Sequence, residues 1–453
     1  MVGKKSFLPN KSDLFTKKPN STSMHPSSFP LDRRSFLKKS GIAAGATALI
    51  AGFPSILRGA PLTRTLKIAL VGCGGRGSGA ANQALKADSQ IELTILADIF
   101  EEQANKALQN LQSQHPDKVK NVQKFIGLDA IDRVVASDVD IVLLCTPPGF
   151  RPEHFEKCVR AGKHTFCEKP IATDAPGVKR FLEATRIAKE KGLGVQSGFC
   201  WRSNYAERAL FEQLHKGTAG KVMTYYGTYL ASPPWVKPRK EGWTDLEWQL
   251  RNWYHFTWLS GDHLVEQAIH TVDKMSWTFQ DVPPIQAVAV GGRQQRVEPE
   301  YGHIWDHYGV VYDYPDGAKG FVFCRQQSGT FNENADHIIG TKGVAKINGF
   351  GKVHRITGET PWKYEGERPD MYQIEHDEFV ASIRKGEPLN VGDKLAHSTM
   401  VGILGRMAGY TGKMVTWEEA CASKEDLRPS SALDWKMTLP VPPVPIPGRT
   451  PLV

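Results

Sequence analysis

From Pro61 to about Pro170 the chain alternates short apolar runs with amphipathic stretches. LKIALV (Leu66 to Val71) is mostly apolar, holds β-branched Ile68 and Val71, and predicts a central strand covered on both faces. IELTILADIF (Ile91 to Phe100) predicts a second buried strand ending in Asp98, and VQKF (Val122 to Phe125) a short third. DIVLLCTPP (Asp140 to Pro148) and HTFC (His164 to Cys167) complete the series. Between them Glu101 to Gln114, Ala130 to Ala136 and Glu153 to Ala161 read as helices, the last closed by Gly162. Such alternation is the pattern of a doubly wound parallel sheet.

Beyond Pro170 the pattern changes. Gly177 to Lys191 reads as a helix, Gly194 to Gly198 as a short strand, and FCWRSNYAERAL opens another helix. From Val222 the runs VMTYYGTYL, IQAVAV, HYGVVYDY, GFVFCRQQ, DHIIG and GVAKING read as half-buried strands, with hairpin turns at Pro315 to Gly317 and Thr341 to Gly343. The predicted fold is therefore α/β: a Rossmann doubly wound parallel sheet, then an α+β domain with a large, mostly antiparallel open sheet. The expected organisation is a targeting segment over 1–60, a dinucleotide-binding domain over 61–170, the α+β domain over 171–425 and a Pro-rich tail over 426–453. That tail, with LPVPPVPIPGRTP, reads as an extended arm.

Where the first strand meets its helix, Gly72, Gly74 and Gly77 stand in G-x-G-x-x-G spacing around Gly75 and Arg76. In such a turn the first glycine permits the reversal, the second admits a pyrophosphate close to the backbone, and the third lets helix and strand pack. The phosphates meet the helix N-terminus, whose N–H groups and dipole favour negative charge. Asp98 follows 21 residues after Gly77 (98 − 77), near the spacing at which a carboxylate takes the ribose hydroxyls. With Glu101 and Glu102 beside it, Asp98 repels a 2′-phosphate, so NAD is favoured over NADP; Arg76 softens that preference. Thr146 and Pro147, at the carboxyl end of a strand, are expected along the cofactor.

Charge adds an address rather than a partner. The chain has 453 residues and a net charge of +9, but residues 1–60 hold ten Lys or Arg against Asp13 and Asp32, which is +8 of that total. No nucleic-acid surface is implied for the rest. DRRSFLKKS (Asp32 to Ser40) precedes the small-residue apolar run Gly41 to Phe53. The run is short for a membrane span but suits a signal segment, and Arg33-Arg34 resembles the twin-arginine signal for export of folded proteins. The expected location is periplasmic or exported, membrane-anchored if the segment is not cleaved near Gly59-Ala60. Seven cysteines, an odd number with no C-x-x-C, predict neither a zinc site nor a disulfide framework.

The glycine turn, the strand ending in Asp98, the CTPP turn and above all AGKHTFCEKPIA resemble the Gfo/Idh/MocA oxidoreductases over about residues 65–420. The resemblance implies a sugar or polyol substrate, NAD, and a site at Glu168-Lys169-Pro170, where Lys169 touches both substrate oxygen and nicotinamide. It places substrate contacts at Arg202 and Tyr205. It also implies a homo-oligomer, dimer or tetramer, through the open sheet face.

RNWYHFTWLSGDHLVEQAIHTVDKMSW (Arg251 to Trp277) reads from Gly261 onward as one helix. Glu266 and His270 then stand at i, i+4 on one face with His263 a turn earlier. The family pattern has an aspartate four residues before a histidine; here Glu266 replaces it, and His270 is the implied general base, its ordinary pKa near ~6.5 suiting proton removal from a carbinol. Asp273 is a candidate to orient His270 or to bind substrate. The aromatic crowd Trp235, Trp243, Trp248, Trp253, Tyr254 and Trp258 offers sugar-stacking faces, and His303, Asp306 and His307 are secondary candidates.

The expected function is NAD-dependent oxidoreduction of a sugar, polyol or glycoside hydroxyl, with Lys169, His270 and Glu266 catalytic. The alternative is a redox-assisted, NAD-dependent glycoside hydrolase or epimerase with a closed cofactor cycle; a third reading is a non-catalytic sugar sensor. Export to a compartment without a dinucleotide pool further predicts NAD bound tightly enough to survive purification, and engagement of the twin-arginine export machinery.

Overall fold

The first predicted strand lies mid-sheet. In the computed structural model of the protein, which describes residues 62–453, six strands form one parallel sheet: β1 (Leu66–Val71), β2 (Ile91–Asp98), β3 (Gln123–Ile126), β4 (Ile141–Leu144), β5 (His164–Cys167) and β6 (Val195–Ser197). Their order is β3-β2-β1-β4-β5-β6. Helices α1 (Gly75–Ala87), α2 (Glu101–Gln114), α3 (Ala130–Val135), α4 (Arg151–Arg160) and α5 (Ala175–Glu190) connect them. Burial of every residue of β4 and β5 matches the unbroken apolar runs that a sheet covered on both faces requires. The buried face of α1 consists largely of Gly77, Ala80, Ala81 and Ala84, so helix and sheet approach closely. The targeting segment proposed for 1–60 lies outside the described residues.

The parallel sheet runs past Pro170, because β6 pairs with β5. Its outer edge is covered by a late part of the chain: Val195 N–H donates to Leu389 O, and Val391 N–H to Val195 O. An edge strand left open would invite foreign pairing.

The second sheet has nine strands in the order β14-β13-β12-β11-β7-β10-β9-β8-β15. They are β7 (Val222–Ala231), β8 (Gln286–Gly292), β9 (His307–Asp313), β10 (Lys319–Gln326), β11 (Glu333–Gly340), β12 (Gly343–Asn348), β13 (Val353–Gly358), β14 (Trp362–Lys363) and β15 (Val415–Thr416). All pairs are antiparallel except β10 with β7. The remaining helices are α6 (Tyr205–His215), α7 (Asp245–Arg251), α8 (Thr257–Ser260), α9 (His263–Glu266), α10 (Ile269–Thr278), α11 (Met371–Arg384), α12 (Gly392–Thr411) and α13 (Trp417–Ala422). Helices α10 and α12 cover one face: Tyr225 on β7 donates from its hydroxyl to Thr271 O (2.9 Å), and Gly402 lies against Ile269. The other face exposes Tyr226, Val288, Val290, Phe323 and Ile339.

One expectation needs correction here. The single helix from Gly261 is instead two short ones, because Gly261 and Asp262 both take positive φ (81° and 72°) and Gln267 breaks the path between α9 and α10. The Pro-rich end is extended, without helix or strand, and the stretch before it lies along the body: Leu427, Leu433, Trp435, Met437 and Leu439 pack, partly buried, on the cluster of Leu246, Trp248, Phe256 and Trp258. Val444 and Leu452 are likewise partly buried against the core, whereas Val441 and Ile446 stay exposed.

Candidate active site

The carboxyl ends of β2, β1, β4 and β5 share one edge of the parallel sheet, which collects Asp98, the glycine turn, Thr146-Pro147 and Glu168-Lys169. Gly72 takes φ +93°, and a Cβ there would lie 2.6 Å from Cys145 C and 2.7 Å from Thr146 N. A Cβ at Gly77 would collide with Gly72 O, whereas at Gly74 and Gly75 it meets nothing within 4 Å. The first and third glycines thus serve packing, and the middle of the turn presents bare backbone to a ligand, as a pyrophosphate requires. Asp98 Oδ2 accepts from Cys73 N–H (2.7 Å) and Oδ1 from Phe100 N–H (2.9 Å). Burial raises the Asp98 pKa against those two hydrogen bonds, and its remaining lone pairs are available to ribose hydroxyls.

Arg76 does not reach toward a 2′-phosphate. Its Nε lies 2.9 Å from Glu168 Oε1, its Nη2 donates to Gln83 Oε1 (2.6 Å), and its guanidinium stacks 4.9 Å from the Tyr372 ring centre. The expected softening of NAD preference by Arg76 is therefore unsupported, because the charge is already paired with buried Glu168.

Lys169, in a cis peptide to Pro170, points from the end of β5 to the last residue of α9. Its Nζ donates to Glu266 O (2.7 Å) and Glu266 Oε1 (3.1 Å). His270 stands on the first turn of α10, edge-on to Phe199 with ring centres 6.1 Å apart. Its Nδ1 is buried without a partner among the described residues, while the residue as a whole is only partly buried, which leaves Nε2 on the accessible side. The ordinary histidine pKa does not hold: burial, then the charges of Lys169 and Lys274, push it well below 6.5. Lys274, fully buried, keeps its own charge against burial through a salt bridge to Asp336. His270 is thus neutral at neutral pH, the state a base needs.

The wall beside Glu266 is polar, and of its members only Tyr254 was a candidate from the sequence, as a stacking face. Tyr254 O–H donates to Gln267 Oε1 (3.2 Å), and Gln326 Nε2 donates to Tyr254 Oη (2.7 Å) and to Gln267 Oε1. The Tyr229 pKa is pushed up to about 12 by burial and the Glu266 charge. The i+1 position of Gln267 relative to Glu266 was the one further sequence signal; Tyr229 and Gln326 come from β7 and β10 and carry none.

Four predicted substrate or orienting residues lie elsewhere in role. Arg202 Nε donates to both oxygens of Asp273 (3.0 Å each) and Nη2 to Asp281 Oδ1 (2.7 Å), over the Trp277 ring at 5.4 Å. Asp273 is buried and also accepts from Ser398 Oγ (2.7 Å), so it neither orients His270 nor faces substrate. Buried opposite charges select each other before any ligand. Tyr205 stands exposed on the first turn of α6 and shares no hydrogen bond or ring contact with Lys169, Glu266 or His270. His263 is fully buried, its ring 5.8 Å from that of Tyr308, with neither nitrogen partnered among the described residues.

Of the secondary candidates, Asp306 binds the backbone N–H groups of Gln294 (2.8 Å) and Gln295 (2.7 Å) and pairs with His307, a loop clamp rather than a pocket group. Trp248 and Trp258 belong to a hydrophobic cluster. Asp262, by contrast, was overlooked: its buried carboxylate accepts from Trp305 N–H (2.9 Å), Tyr308 O–H (2.6 Å), Tyr410 O–H (2.5 Å) and His263 N–H. It pins the start of the segment that carries Glu266 and His270.

Comparison with known proteins agrees with this fold. Residues 66–199 match the profile "Oxidoreductase family, NAD-binding Rossmann fold", and residues 208–346 the "GFO/IDH/MocA C-terminal domain". Inositol 2-dehydrogenase of Gluconacetobacter diazotrophicus is 32% identical over 333 residues, 72% of this chain and 88% of that protein. 2,7-Anhydro-N-acetylneuraminate hydratase of Escherichia coli is 23% identical, over 51% of this chain and 59% of that protein, so this match covers less than two thirds of the relative. Among solved structures, aldose-aldose oxidoreductase of Caulobacter crescentus, complexed with glycerol, superposes with a TM-score of 0.63 at 19% identity, over 78% of this chain and all of that one (100%).

Proposed function

Because the chain belongs to the Gfo/Idh/MocA oxidoreductase family, we propose that it transfers hydride between NAD and a carbinol of a sugar, polyol or glycoside. The observation that carries this reading is the meeting of Lys169, at the end of β5, with Glu266 beside His270. Bound NAD supplies the hydride acceptor. The residues do the rest. Gly74 and Gly75 present bare backbone to the pyrophosphate, Asp98 takes ribose hydroxyls, and Thr146-Pro147 flank the cofactor.

Lys169 uses two of its three N–H donors on Glu266, and the third donates to the substrate oxygen. Neutral His270 accepts the hydroxyl proton at Nε2 as the hydride departs, and returns it in the reverse direction. Glu266 Oε2, which has no hydrogen bond within the described residues, accepts from a neighbouring substrate hydroxyl. Lys169→Ala and His270→Ala, assayed with NAD on a panel of sugars and polyols, should each lower turnover by roughly 10²–10⁴. Near wild-type turnover in both would reject the assignment.

The reading extends to location. Arg33-Arg34 and the apolar run after it support twin-arginine export to the periplasm, and an exported enzyme retains its NAD through the cycle. Denaturing the purified protein should release stoichiometric dinucleotide; an empty supernatant would count against retention. The apolar side chains on the open sheet face support a homo-oligomer, which light scattering of the purified protein tests against a monomer mass.

A further inference from the structure

One row of side chains crosses the open face of the second sheet. The register sets Val288 opposite Val311, Val311 opposite Phe321, Phe321 opposite Tyr226 and Tyr226 opposite His337. It continues with His337 opposite Lys346, Lys346 opposite Arg355 and Arg355 opposite Lys363. The row is apolar and aromatic up to Tyr226, then basic to the sheet's edge. Like charges directly opposite on neighbouring strands cost stability, yet here three cations stand in succession. Among the described residues the side chains of Lys346 and Arg355 have no acidic partner, and Lys363 has only Glu365 at 3.2 Å, both largely exposed.

At the basic end lies a cavity of about 450 Å³ lined by Lys352, Arg355, Lys363, Tyr364, Glu365 and Arg368. Four cations thus face one carboxylate. Arg368 is held in place by Nη1 at 3.1 Å from His354 Nδ1 and by stacking 5.0 Å from the Tyr364 ring centre. The Tyr364 hydroxyl is turned to Glu367 O (2.6 Å).

We propose that this cavity binds an oligosaccharide bearing oxyanions, carboxylate or sulfate, at a site distinct from Lys169, Glu266 and His270. Guanidinium forks match such groups bidentately, an aromatic ring offers an apolar face to a sugar, and the volume falls in the range of small-ligand sites. An oxyanion also neutralises the repulsion along the row. The sugar part of the ligand rests on the proposed function; the anionic part rests on the row and the cavity.

The test is calorimetric titration of the whole purified protein with trigalacturonate, with a sulfated trisaccharide, with neutral galactotriose and with sodium sulfate at matched ionic strength. At least one acidic trisaccharide should bind, galactotriose should not, and sodium sulfate should bind at least tenfold more weakly. The double variant Arg355→Glu, Lys363→Glu, at exposed positions, should weaken the acidic trisaccharide at least tenfold with thermal midpoint and turnover unchanged. Binding by neither acidic sugar, equal binding of galactotriose or of sulfate, or undiminished binding by a folded double variant overturns the proposal. A protein that binds the acidic sugar yet turns over no carbinol would instead reject the catalytic reading and leave this one standing.

Discussion

Replacing Asp262 separates two effects that the structure combines at one residue. Its backbone sits at φ 72°, ψ 163°, a region nearly confined to glycine that costs other residues about 1–3 kcal/mol. Its fully buried carboxylate accepts from Trp305, Tyr308, Tyr410 and His263. Asp262→Ala removes these acceptors and keeps the strain. Each stranded buried donor costs about 1–3 kcal/mol. The hydroxyls of Tyr308 and Tyr410, with ring centres 6.5 Å apart, recover part of this by rearranging, and the penalty for burying the carboxylate disappears. A net loss of about 3–5 kcal/mol follows.

Asp262→Gly loses the same bonds but accepts the conformation, gaining about 1–3 kcal/mol against about 0.5–1 kcal/mol for glycine's extra backbone entropy. The glycine variant should therefore be the more stable of the two by about 1 kcal/mol, reversing the usual order. Urea unfolding of wild type and both variants, with slopes compared to confirm a common transition, measures this directly. An alanine variant as stable as the glycine one would refute the strain argument.

Stability should also depend on pH through buried histidines. Burial lowers His164, His255 and His303 to about 4 and His376 to about 3, whereas unfolded they titrate near about 6.5. The unfolded chain thus binds more protons below that value: their contribution is complete above about pH 6.5 and is lost as pH falls toward 4, with uptake of about four protons on unfolding near pH 5. Urea midpoints that do not drop between pH 7 and pH 5 would contradict it. In activity, the depressed His270 should place the acid limb of kcat/KM below the ordinary histidine value of about 6.5, and a limb at or above that value would mean that the ring is solvated in the working enzyme. Asp98→Ala, which removes the acceptor for Cys73 and Phe100 N–H, should weaken NAD at least about tenfold by fluorescence titration; unchanged affinity would reduce Asp98 to a clamp on the turn.

The sequence by itself determined the parallel sheet, the glycine turn and Asp98 at the end of β2, because these are written in local terms, whereas Lys169, Glu266 and His270 entered as candidates through the family resemblance. A buried strand needs a continuous apolar run, a sharp turn beside a phosphate needs glycine, and both signals lie within a few neighbouring residues. The same local view predicted one helix from Gly261, since nothing in GDHLVEQAIH marks Asp262 as left-handed; that conformation holds only because Trp305, Tyr308 and Tyr410 arrive from distant elements to bind its carboxylate. Arg202 entered as a substrate contact through the family resemblance, and Asp273 as a candidate to orient His270 or to bind substrate. A buried charge must be paired, and the sequence shows the charge but not the partner, here 71 positions away. Only the tertiary structure decided that these two neutralise each other, while Lys169 meets Glu266 across 97 positions.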